Sequence, residues 1–211
     1  MIPSEKEWNE ALIARHGLEL HRRFSGAVAA VCGLGGLGSN IALALARAGI
    51  GRLKLIDHDR VDITNLHRQQ YKASQLGLYK ADALAENLRE IAPYTKLEIS
   101  RARITEDNLH ELLKDADIVC EAFDMAEAKA MLVNGVLEKL PRAYLVAASG
   151  MAGMGTANSI RTRKITGRFY LCGDEVSDIS EGMGLVAPRV MLCAAHQAHT
   201  ALRILAGEYE V

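Results

Sequence analysis

The sequence has no excess of either charge. Twenty-five Lys and Arg face 26 Asp and Glu, a formal net charge of −1 over 211 residues. A chain this balanced lacks the overall basic signature of a nucleic-acid binder, so any anion site has to be a local cluster of cations. The four cysteines, Cys32, Cys120, Cys172 and Cys193, form no C-x-x-C pair. That spacing argues against a four-cysteine zinc site, and no structural zinc is expected. Nothing in it points to an oxidising compartment. The first residues, MIPSEKEWNEALIARHG, are charged and amphipathic without a long apolar core, unlike a secretory leader. A cytoplasmic location is the expectation. Internal repeats and low-complexity tracts are also lacking. One uncharged run, residues 26–46, is long enough to cross a bilayer. It holds five glycines, a Ser and an Asn, so strand, Gly-rich turn and buried helix is the better reading.

What is present is an ordinary globular composition, 49% hydrophobic and 24% charged. The pattern alternates strand and helix. A helix is expected over residues 4–23, with Trp8, Leu12, Ile13, Leu18 and Leu20 as its apolar face. Then come a buried strand (AVAAVC), a small-residue helix (LGSNIALALARAG), a second strand (RLKLID) and a polar stretch to about Gly77. LYKADALAENLREIAP reads as a helix stopped by Pro93. KLEIS, DIVCEAF and AYLVAAS read as strands, and EDNLHELLKDA and MAEAKAMLVNGVLEKL as helices. Such alternation predicts a mainly parallel sheet covered on both faces. From Gly150 the texture turns Gly-rich, with two short strands expected in a crossing loop or small antiparallel lobe, before APRVMLCAAHQAHTALRILAG closes the chain as a helix. The expected organisation is one domain: N-terminal helix 1–24, nucleotide-binding core 25–150, crossing loop 151–186 and closing helix 187–207.

Gly33, Gly35 and Gly38 satisfy G-x-G-x-x-G between a strand and a helix. Such a turn lets a phosphate approach the backbone at a helix N-terminus. Asp57, ending the second strand, suits ribose hydroxyls. Both features serve NAD as well as any other nucleotide. Gly36 adds a further glycine and allows closer approach. The stretch LIDHDRVDITNLHRQQY then places Asn65 and Arg68 three apart, with Lys80 opening the next helix. An ammonium and a guanidinium near a phosphate turn suit a polyphosphate better than a nicotinamide. Asp124 follows the strand DIVCEAF, where one carboxylate can hold Mg²⁺ through phosphate oxygens and waters. Each has a plainer alternative: a surface ion pair for Arg68, a solvated helix position for Lys80, a helix cap for Asp124. The His196/His199 pair is explained by a polar edge on the last helix.

GLGGLGSN, LIDHDRVDITNLHRQ, Lys80 and CEAFD, in this order over roughly residues 10–150, resemble the adenylating domain of the ThiF/MoeB family, bacterial relatives of ubiquitin-activating enzymes. Compactness and the ending GLVAPRVMLCAAHQA look most like short ThiF-type proteins of thiamine biosynthesis. The resemblance implies a Rossmann-like fold. It implies ATP and Mg²⁺, with Gly33, Gly35 and Gly36 along the phosphates, Asp57 on the ribose, Asn65, Arg68 and Lys80 on the triphosphate and Asp124 on the metal. It further implies a homodimer in which Arg15 reaches a partner's site. The implied reaction adenylates the C-terminal Gly-Gly carboxylate of a small ubiquitin-like sulfur carrier of ThiS type, ahead of thiocarboxylate formation with a sulfur donor such as a cysteine desulfurase. A molybdopterin-type carrier or a tRNA would need much the same ATP site. An NAD-dependent oxidoreductase and a non-catalytic scaffold are the other readings.

No general base is needed by such a reaction, because a carboxylate is already a nucleophile at neutral pH. Catalysis would fall to Arg68, Lys80, Asp124 with its Mg²⁺, and Arg15. Some relatives use a cysteine in the crossing loop, which makes Cys172 in RFYLCGDE the candidate, in a segment expected to be exposed. Cys32, Cys120 and Cys193 read as packing residues. Glycines and methionines around 150–155 and 182–184 are expected to let the loop move over a carrier tail. Two positions depart from the family pattern: Met125, where an amide is usual, and Lys129, where Arg is common.

Overall fold

A computed structural model describes residues 2–178, 182 and 184–211. The chain opens on α1 (Glu5–His16), started by a capping box in which Ser4 and Glu7 exchange hydrogen bonds. The single helix expected over 4–23 is two. Gly17, at φ +86°, breaks it, and α2 (Leu18–Gly26) follows. The apolar residues chosen for one continuous face are thus shared between two helices.

The core begins at β1 (Val28–Cys32), all of it buried. Ala29 and Val31 enter one apolar cluster and Ala30 and Cys32 the other, because alternate residues of a strand face opposite sides. The remaining elements are α3 (Gly36–Arg47), β2 (Arg52–Ile56), α4 (Lys80–Ile91), β3 (Lys96–Ser100), α5 (Leu109–Leu113), β4 (Ile118–Glu121), α6 (Ala126–Lys139), β5 (Tyr144–Ala148), β6 (Arg161–Lys164), β7 (Phe169–Gly173) and α7 (Ala187–Leu205). The strands form one sheet in the order β3-β2-β1-β4-β5-β7-β6, parallel except for β6. Residues of α3, α4 and α7 pack in one cluster and those of α5 and α6 in the other, so both faces are covered.

The Gly-rich segment differs from its expected form. Its two strands are present as an antiparallel pair, but they extend the main sheet: β7 runs parallel to β5, pairing Ala148 with Cys172. Met183, expected in the moving part of the crossing loop, lies outside the described residues. Among the described residues no helix is long and apolar enough to cross a membrane. The uncharged run 26–46 forms β1, the glycine turn and α3.

Candidate active site

The strand order reverses between β1 and β4, and in open α/β sheets that is where the carboxyl ends of the strands leave a crevice. Here the crevice is a cleft of about 780 Å³. Gly33, Gly35, Gly36, Asp57, Asn65, Arg68, Lys80 and Asp124 all line it. Residues up to 91 positions apart in the chain thus meet in one cleft.

The glycines do separate jobs. Gly33 has φ +88°, and a Cβ there would come within 2.8 Å of the Ala122 carbonyl oxygen. A Cβ on Gly38 would overlap the carbonyl oxygen of Gly33, so this glycine serves the close packing of α3 on β1. Gly35 is the N-cap of α3 and Gly36 its first residue, with no side-chain cap over the helix start. The free N–H groups and positive dipole end of α3 therefore face the cleft.

Asp57 is buried and already used on both oxygens: Oδ2 accepts the Leu34 N–H at 2.6 Å and Oδ1 the Asp59 N–H at 2.8 Å. These bonds hold it at the end of β2, and each oxygen keeps a second lone pair. Tyr71 donates its hydroxyl to the Leu34 carbonyl at 2.7 Å, bracing the same turn from below. Burial, followed by the Asp57 and Asp59 charges, pushes the Tyr71 phenol well up, so it remains a donor.

The structure decides against each plainer alternative. Arg68 makes no ion pair among the described residues; its Nη1 donates to the Thr64 carbonyl at 3.0 Å. Burial lowers its pKa while the Asp124 charge opposes that, which leaves a guanidinium charged at any ordinary pH. Lys80 is not a solvated helix residue. Its side chain is 8% exposed and Nζ donates to Asp59 Oδ2 at 2.9 Å. Burial would raise the Asp59 carboxyl, but the hydrogen bond and charge of Lys80 outweigh it and hold it below its usual range. Asp124 does not cap α6: the N-cap is Met125, and no side chain caps that end. Asp124 is exposed in the cleft.

Such a carboxylate fits a hard divalent cation, which takes one or two protein oxygens and fills its shell with phosphate oxygens and water. A second acidic grouping does not fit one. Asp57, His58 and Asp59 bring ligand atoms within 4.8 Å of one another, yet the Lys80 ammonium bonded to Asp59 already supplies the positive charge there.

Cys172 corrects the expectation of an exposed loop residue. It lies in β7, buried, and burial pushes its thiol up to about 11, against the smaller opposing effect of Thr162 and Thr200. A thiol so raised is not a thiolate near neutral pH. Arg15 sits exposed on the last turn of α1 and does not line the cleft of its own chain. His196 Nδ1 lies 3.0 Å from Thr162 Oγ1, an ordinary polar edge.

Sequence reasoning missed the scaffold that carries Arg68. Asn40 of α3 donates to the carbonyls of Gly36 at 2.6 Å and Arg68 at 3.3 Å. Its own carbonyl accepts from Gln70 at 2.7 Å, and Asn87 of α4 donates to the Gln70 carbonyl at 2.9 Å. The irregular stretch is thus sewn to two helices. Asn40 and Asn87 sitting inside helical patterns, where amides are poor helix formers, were the available signal. Arg189 was missed as well. It is buried at the start of α7, pairs with Asp174 at 2.5 Å and donates to the carbonyls of Ala152, Gly155 and Thr156.

Comparison with known proteins gives the family. A family model described as the ThiF family matches residues 9–211. The chain belongs to the ThiF family. Among curated ThiF-type relatives, the adenylyltransferase and sulfurtransferase UBA4 of Lodderomyces elongisporus is 30% identical over 187 residues, covering 85% of this chain and 40% of the relative. The adenylyltransferase and sulfurtransferase MOCS3 of Dictyostelium discoideum is 33% identical over 190 residues, covering 85% and 43%. The chain therefore spans less than half the length of these relatives. Among solved structures, E. coli tRNA N6-threonylcarbamoyladenosine dehydratase, TcdA, in complex with ATP superposes with a TM-score of 0.86 at 23% identity, over 98% of each chain. That likeness supports the fold.

Proposed function

We propose that this ThiF-family chain binds Mg·ATP in the cleft and transfers AMP to a carboxylate, the C-terminal Gly-Gly of a small ubiquitin-like sulfur carrier. One observation carries the reading: Arg68, Lys80 and Asp124 line the same cleft as the bare start of α3. A nicotinamide needs neither two cations nor a carboxylate beside its phosphates. Asp57 is set to receive the ribose and the glycine turn the phosphates. In the reaction a carboxylate oxygen bonds to the α-phosphorus, the bond to the bridging oxygen breaks, and pyrophosphate leaves with its electron pair. No proton moves. Two anions must meet, so the protein contributes positioning and charge neutralisation, from Arg68 on the phosphates and Lys80 beside them. Bound Mg²⁺, held by Asp124, would neutralise phosphate charge.

The double activity in the names of the curated relatives supports coupling of adenylation to sulfur transfer. On this reading the acyl adenylate next receives sulfur from a donor such as a cysteine desulfurase, and a ThiS-type carrier would place the product in thiazole synthesis for thiamine. Arg15 acts from the α1 of a second copy in a homodimer. Cys172 is left out of the chemistry.

ATP–pyrophosphate exchange with Mg²⁺ tests the proposal, run with and without a panel of small Gly-Gly-ending carriers. Exchange that depends on one carrier supports both reaction and partner. ATP binding with no exchange for any carrier, but exchange with tRNA, would move the substrate to RNA, the class named for TcdA. Binding of NAD in place of ATP would end the proposal.

A further inference from the structure

At the wall of the cleft, which Lys129 helps to line, lies a charged pair that the reaction above does not use. Glu121, the last residue of β4, is fully buried, and Lys129 of α6 donates to its two oxygens at 3.0 and 3.1 Å. Burial pushes the Glu121 carboxyl up, opposed by Lys129. An apolar pair of similar volume would fill this space at less desolvation cost, so packing alone does not account for it.

The remaining hydrogen bonds show what the pair holds. Glu121 Oε1 also accepts the Phe123 N–H at 2.6 Å, and Oε2 accepts the Ala148 N–H at 3.4 Å. Lys129 donates a further bond to the Ala148 carbonyl at 3.1 Å. Gln197 of α7 donates to the Glu121 main-chain carbonyl at 2.8 Å. Phe123 immediately precedes Asp124, and Lys129 lies on the helix that follows it. The turn carrying Asp124 is therefore tied down on both sides, to the ends of β4 and β5. The same turn presses on the phosphate loop, since the Ala122 carbonyl stands where Gly33 has no room for a Cβ.

We infer that Glu121 and Lys129 are positioning residues that set the Asp124 carboxylate at the distance a metal-bound triphosphate requires. The inference rests on the Mg·ATP reading. Mg²⁺ demands near-ideal octahedral geometry, so a carboxylate that swings freely serves it poorly. Groups that orient a metal ligand without touching the metal have large effects on its affinity. Asp124 itself receives no such support from a helix cap; the Glu121–Lys129 pair supplies it through the backbone.

Calorimetry on the full chain measures ATP affinity with excess Mg²⁺ and again with EDTA; the ratio reports the contribution of the metal. In the Glu121→Gln/Lys129→Met double variant, which leaves no unpaired buried charge, that ratio is expected to fall about tenfold. Lys129→Arg, which keeps the cation, is expected to preserve it. A purely structural loss weakens both affinities together and leaves the ratio unchanged. Asp124→Asn is measured alongside. If Asp124→Asn removes the Mg²⁺ increment and the double variant keeps it, the positioning role is overturned while the Mg·ATP reading stands. If Asp124→Asn keeps the increment, or the unaltered chain has none, the metal assignment fails and takes the inference with it. Should the double variant not fold, Glu121→Gln carries the same comparison, since the Lys129 side chain left behind is 25% exposed and keeps access to water.

Discussion

The amide of Leu34 donates to Asp57 Oδ2 at 2.6 Å, tying the glycine turn to the end of β2. On the proposed reading the bond joins two parts of the nucleotide site before any nucleotide arrives: the turn for phosphate and the carboxylate for ribose. Preorganisation of this kind lowers the cost of ordering on binding. It also makes the site sensitive to substitutions that move either partner.

Arg68→Ala is expected to reduce pyrophosphate exchange by about a hundredfold or more, about 3 kcal/mol of barrier, the loss associated with one transition-state donor. The melting temperature should hardly change, because removing Arg68 strands no carboxylate among the described residues. Exchange rates alongside a thermal melt check both halves. Near-normal exchange would refute the role of Arg68.

Gly38→Ala acts on the fold instead. The new methyl meets the Gly33 carbonyl, a backbone atom with no freedom to give way. Overpacking of this kind costs about 1–3 kcal/mol, read as a lower midpoint in urea. An unchanged midpoint would show that α3 can shift away from β1 at little cost.

All four cysteines are buried, and burial pushes the thiols of Cys120 and Cys193 up to about 12 and that of Cys172 up to about 11. Iodoacetamide at neutral pH should leave them unmodified until denaturant is added, as mass spectrometry would show. Rapid alkylation of Cys172 in the native chain would restore it as a candidate nucleophile.

Asp174 makes the acid limb of loop stability predictable. Burial would raise its carboxyl, but the N–H groups of Ser177 and Val176, the Ser177 hydroxyl and Arg189 hold it below its usual value. A carboxyl lowered on folding contributes stability above its unfolded pKa, and that contribution is lost as pH falls through the folded value. Protection of the Ala152, Val176 and Ser177 amides should therefore persist at pH 5 and weaken in more acid solution. Asp174→Asn should weaken it at every pH, as hydrogen exchange can measure. Protection in the variant equal to that of the unaltered chain would remove Arg189 and Asp174 as the clamp on this loop.

Mixing experiments address Arg15. Arg15→Ala and Arg68→Ala chains, each inactive alone on the proposed reading, should regain exchange when refolded together, since one site of a mixed dimer receives both arginines. Recovery requires that Arg15 act across chains; its absence, with dimers shown by ultracentrifugation, would place Arg15 outside the site.

Much of this protein is set by local pattern. Strand and helix alternate because apolar residues recur at the matching periods, and the parallel strands β1 to β5 could be read that way, whereas the place of β7 beside β5 could not. Gly33, Asp57 and Arg68 were legible as cleft residues because each position calls for a particular residue type: a positive φ, a carboxylate at a strand end, a cation beside the glycine turn. What local pattern could not reveal depends on partners distant in the chain. Gly17 breaks a helix whose apolar spacing runs on through it. Cys172 looks like a loop residue until β7 pairs with β5 and α7 covers it. Asn40 and Gln70 acquire meaning only when 30 residues of chain fold back to bring them within 2.7 Å. The charged pair Glu121–Lys129 reads as two unrelated side chains until burial removes their water and leaves each other as partner. Periodicity and residue chemistry are properties of neighbours along the chain, whereas burial and hydrogen-bond pairing are properties of neighbours in space, and those exist only once the sheet has closed its order.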